Sequence, residues 1–120
     1  MYVNLNFLKS VARDNTSFML KIIDQIIDSS PQAIEKMKNA CNKYEWKEVR
    51  AAAHSLGSTV EIMGCNELKM LVDEIEDYSE EKTNLGSIPE LIQRVKNIID
   101  VAIKELQEEK TKIINSPLKT

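Results

Sequence analysis

His54 is the only histidine in the chain, and it sits where an imidazole could react. Between Trp46 and Gly64 the apolar residues Trp46, Val49, Ala53, Leu56, Val60 and Met63 alternate steps of three and four. That spacing gathers side chains into one buried helical stripe. His54 is one residue beyond Ala53, so it is turned about 100° from the stripe. Its flank also carries Lys47, Arg50, Ser58 and Glu61, all of which prefer water. A helix packed on one face would hold such a ring rigidly and leave it reachable. The lone pair of a neutral imidazole can act as a nucleophile without a general base. Spacing alone nevertheless favours the plainer reading, a surface histidine without a role.

The elements that would carry this ring are helices. The chain has 120 residues, three glycines, three prolines and few aromatics, a composition that favours one helical domain with a single core. A formal charge of −3 without a basic block argues against nucleic acid or an anionic membrane as the main partner. No apolar run approaches the roughly 20 residues that span a bilayer. The amino terminus lacks a basic region followed by an apolar stretch, so a cytoplasmic protein is expected. Cys41 and Cys65 lie beside helical apolar patterns and read as buried, reduced thiols.

Six helical segments are expected. The first covers about Asn4 to Ala12, with Leu5, Leu8 and Val11 inward. The second covers about Thr16 to Ile27. Ser29-Ser30-Pro31 then punctuates the chain, Ser30 as cap and Pro31 as first residue of a third helix reaching Tyr44. The His54 helix ends at Gly64, a natural left-handed cap. A fifth helix spans about Asn66 to Tyr78, with Leu68, Leu71, Val72 and Ile75 inward. After a polar loop, Ser87-Ile88-Pro89-Glu90 reads as a capping box opening the last helix. Short loops make sequential helices antiparallel. The expected fold is all-α, an up-and-down four-helix bundle with two short amino-terminal capping helices. It forms one domain over residues 1–114, followed by a flexible tail at 115–120.

The run Ala53-His54-Ser55-Leu56, with Met63-Gly64 and then Leu68, resembles the histidine-containing phosphotransfer (HPt) domain of multistep two-component phosphorelays. Leu5, Leu8, the Asp14-Asn15 turn, Phe18, Pro31, Trp46 and the Ile75-Glu76 pair also sit where that family usually places similar residues. Two positions depart from it. The family's usual lysine three residues after the histidine is Gly57, and the glycine at four is Ser58. In the family the lysine is thought to help hold the phosphoryl group.

The resemblance implies that His54 accepts a phosphoryl group from a receiver-domain phosphoaspartate and returns it to another receiver aspartate. Glu76, 22 positions on, would orient the ring, although periodicity alone says only that it borders the core beside Ile75. Arg50, one turn before His54, and the small Ser58 are the candidates for phosphate contact. Lys47 is further off. A docking patch would comprise Arg50, Ser55, Gly57, Ser58, Glu61 and Ile62, with packing against the amino-terminal cap as the other reading of Ile62. The implied partners are response-regulator receiver domains and a hybrid sensor histidine kinase, and the chain is expected to be a monomer. It is a phosphocarrier rather than an enzyme, needing no cofactor because magnesium belongs to the receiver.

Two other classes compete. A bundle with the same face could bind receivers without transfer, and Gly57 is the feature favouring this. A metal protein is disfavoured, because there is one histidine and position 51 is alanine, so Glu-x-x-His spacing is absent. No glycine-rich phosphate loop or Ser–His–Asp order points to a conventional enzyme.

Overall fold

A computed structural model describes residues 2–115. Five helices account for most of them: α1 (Asn6–Ala12), α2 (Thr16–Asn42), α3 (Trp46–Met63), α4 (Asn66–Glu81) and α5 (Ile88–Asn115). No strand occurs among the described residues. α3 packs on α2 and α4, and α5 closes the ring by packing on the same two helices. Contacts between α3 and α4 run in opposite registers, His54 with Glu76 and Glu61 with Lys69, so the two are antiparallel. The all-α four-helix bundle is therefore what the apolar spacing predicts.

The bundle is drawn from different segments than the sequence suggests. Ser29-Ser30-Pro31 does not break the chain; α2 runs through it as one helix of 27 residues. Its buried positions Met19, Ile23, Ile26, Ser30, Ile34, Met37 and Cys41 keep steps of three and four across the supposed boundary. An interior proline costs about 3 kcal/mol, because it gives the carbonyl four residues earlier no partner. Burying one isoleucine contributes about 1.5–3 kcal/mol. The stripe buries Met19, Ile23 and Ile26 before Pro31 and Ile34, Met37 and Cys41 after it, so continuity wins. Only α1 remains as a short capping helix, packed on α2 and α3.

Other local expectations also shift. Val11 is 53% exposed, and Ala12 turns inward beside Leu8 instead. Tyr44 does not belong to the helix expected to reach it; it is exposed and adopts φ 58° in the reversal between α2 and α3. The Ser87 capping box does not form. Asn84 enters a single 3-10 turn over Leu85–Ser87, and its carbonyl accepts the Ser87 amide at 2.9 Å. α5 continues through Asn115, the first residue of the expected tail at 115–120, and the rest of that tail lies outside the described residues.

Gly64 does end α3 in the left-handed region, at φ 71°. A Cβ there would collide with the Asn4 carbonyl, because the amino-terminal segment crosses this end. Its Asn4 amide donates to the Met63 carbonyl at 2.8 Å. The amides of Tyr2 and Val3 donate to Glu105 Oε1 at 2.8 and 2.9 Å, strapping the segment to α5. α2 and α5, at 27 and 28 residues, are each about 40 Å long, against about 24–27 Å for α3 and α4. The surplus collects at the strapped end, where Lys110 of α5 meets Asp24 of α2 at 2.5 Å. Both thiols are buried and free, Cys41 near the α2–α3 reversal and Cys65 at the start of α4.

Candidate phosphoacceptor site

α3 is fastened along its inner side by Val49, Ala53, Leu56 and Val60, none more than 1% exposed. That anchoring turns His54 outward, with its side chain 70% exposed. On α4, Val72 and Ile75 are fully buried, and Glu76 emerges beside them at the groove between the two helices. His54 Nδ1 lies 2.9 Å from Glu76 Oε2. A carboxylate only accepts, so Nδ1 carries the hydrogen in this pair and the Nε2 lone pair is left for chemistry. Glu76 is 22% exposed, so the bond is only partly open to competing water.

Deeper along the groove, Gly57 is buried against α4. A Cβ built on it would meet Lys69 Nζ at 3.7 Å and Val72 Cγ1 at 3.8 Å. Lys69 donates to Asp73 Oδ1 at 2.6 Å and lies 3.7 Å from Glu61 Oε1. The hydrogen bond to Asp73, then the charges of Asp73 and Glu61, hold its pKa above the ordinary lysine value against the opposing effect of burial. Its side chain is 31% exposed.

The remaining expected residues spread over the same helix. Arg50 and Ser58 are each one turn from His54 on its face, both exposed, and Arg50 forms no ion pair among the described residues. Ser55 is exposed but rotated about 100° away. Ile62 is half-buried and packs against the core cluster. The structure thus brings Glu76 to His54, and leaves Arg50 and Ser58 facing solvent.

Residues 21–109 match the family model for the Hpt domain. The chain belongs to the Hpt domain family. No individual curated protein and no solved structure matches it. Hpt domains are phosphocarrier modules that work with receiver domains and kinases in phosphorelays. The matched span takes in most of α2, all of α3 and α4, and α5 as far as Glu109, and so contains both His54 and Glu76. It begins within α2, so α1 and the strapped amino-terminal segment lie outside the matched span.

Lys69 and Asp73 are the residues of this Hpt surface that the sequence reading passes over. A signal was present. Positions 69, 72, 73 and 76 share one face of α4, the face that carries Glu76. None of these positions is adjacent to His54 in sequence, so the lysine reads as an ordinary i,i+4 partner of Asp73.

Proposed function

We propose that His54 is a phosphoacceptor that takes the phosphoryl group from a receiver-domain phosphoaspartate and passes it to another receiver aspartate. The observation that carries this reading is the 2.9 Å contact from Glu76 to Nδ1 beneath a largely exposed ring. Nε2 attacks phosphorus, the N–P bond forms, and the P–O bond to the aspartate breaks. The leaving group is the aspartate carboxylate. Nδ1 keeps its hydrogen, and Glu76 supports the positive charge that spreads over the ring. Magnesium and the leaving-group apparatus belong to the receiver, so the chain alone turns nothing over. In this reading it is a cytoplasmic monomer serving receivers and a hybrid sensor kinase, with Arg50, Ser55, Ser58, Glu61 and Ile62 around the docking site.

Gly57 favours a second reading, a module that binds receivers without accepting phosphate. The two diverge in one assay. Phosphorylated receiver domains are mixed with the protein and with its His54→Gln form, and the chain is analysed for an acid-labile, alkali-stable adduct. Adduct on the natural protein and none on His54→Gln is the expected result. Binding to receivers without any adduct would leave the docking module.

A further inference from the structure

We propose that Lys69, reaching across from α4, is the cation that binds the phosphoryl group carried on His54. The inference rests on the phosphoacceptor reading above and adds a residue to it. A phosphorylated imidazole presents a dianion at the α3–α4 groove. Glu76, Asp73 and Glu61 already line that groove with negative charge. A dianion there needs a cation at close quarters.

Lys69 is built into position for this. Its ammonium lies against the α3 backbone where Gly57 has no side chain, one helical turn from His54 on the groove side. A Cβ at position 57 would stand in ordinary van der Waals contact with that nitrogen, and any longer side chain would contend with it for the same space. The amine of α4 therefore stands where a side chain of α3 would otherwise grow. Asp73 and Glu61 hold it charged and oriented. Its pair with Asp73 is partly exposed and follows i,i+4 spacing, an arrangement worth little in stability. A phosphoryl dianion can displace that carboxylate and take the ammonium as a charge-assisted partner. Arg50 has the right charge, but nothing among the described residues holds it toward the ring.

The test uses the full chain with two donors, a phosphorylated receiver and phosphoramidate. With phosphoramidate, Nε2 attacks phosphorus and ammonia leaves. Four proteins are compared: natural, Lys69→Met, Lys69→Arg and the double variant Lys69→Met with Gly57→Lys, each with its unfolding midpoint measured. Lys69→Met is expected to slow adduct formation about tenfold or more and to shorten the lifetime of the phosphohistidine. In a phosphorus NMR titration of that adduct, the last phosphoryl proton should leave at higher pH, because the neighbouring cation is gone. Lys69→Arg and the double variant should both recover, the latter by supplying the amine from α3. Natural-rate transfer and an unchanged titration in Lys69→Met would overturn the proposal. So would slow transfer that neither Arg nor the swapped lysine restores, since that marks a packing role. If the natural protein takes phosphate from neither donor, the phosphoacceptor reading itself fails, which is a different result.

Discussion

In the proposed phosphoacceptor, Glu76 and His54 give the two ring nitrogens separate tasks. Nδ1 is occupied by the carboxylate at 2.9 Å, and Nε2 has no hydrogen-bond partner among the described residues. The division makes the carboxylate's contribution measurable. Glu76→Ala is expected to slow adduct formation about 10–100-fold, the scale seen when an imidazole loses its orienting partner. Glu76→Gln should fall between the two, since its amide oxygen still accepts from Nδ1 but brings no charge. Rapid-quench rates on all three proteins check this, and equal rates would remove Glu76 from the mechanism. His54 and Glu76 were legible because each belongs to a pattern within its own helix and to a family spacing between them. Lys69 was not. Its relation to the site depends on a side chain that Gly57 lacks, and a sequence does not display what an absent atom leaves room for.

α2 is where local signals and packing disagree most. Serine and proline at 29–31 carry a strong punctuation signal, yet Ser30 is fully buried in the stripe. Its hydroxyl finds no hydrogen-bond partner among the described residues. The periodicity runs unbroken across Pro31 in the sequence, but the serine–proline punctuation masks it. The fused helix also predicts a stability gain. Pro31→Ala returns an amide to the Ile27 carbonyl and should stabilise the fold by about 1–3 kcal/mol, measured by urea unfolding. A loss instead would mean that the proline bends α2 to the curvature its neighbours require. The Ser87 box failed for a related reason: the backbone at Asn84 satisfied the amide before Glu90 could.

The molecule extends 54 Å along its helices and about 20 Å across them. Its general plan, antiparallel helices joined by tight turns, was legible from apolar spacing and loop length. The strap at the long end was not, because Tyr2, Val3 and Glu105 are brought together only after the chain has folded around them. The two buried thiols mark the ends of this body. Burial pushes the Cys41 thiol up, keeping it protonated and unreactive, and α3 separates the regions around Cys41 and Cys65 by about 27 Å. Tyr2 to Asn6 line one cleft together with Gly64 and Cys65, so the strap lies beside that thiol and not the other. Each cysteine is thus a clock for the opening of its own end. With a thiol-exchange reagent under native conditions, Glu105→Ala should speed the reaction at Cys65 and leave Cys41 at its natural pace. Two clocks that quicken together would mean instead that the ends open as one.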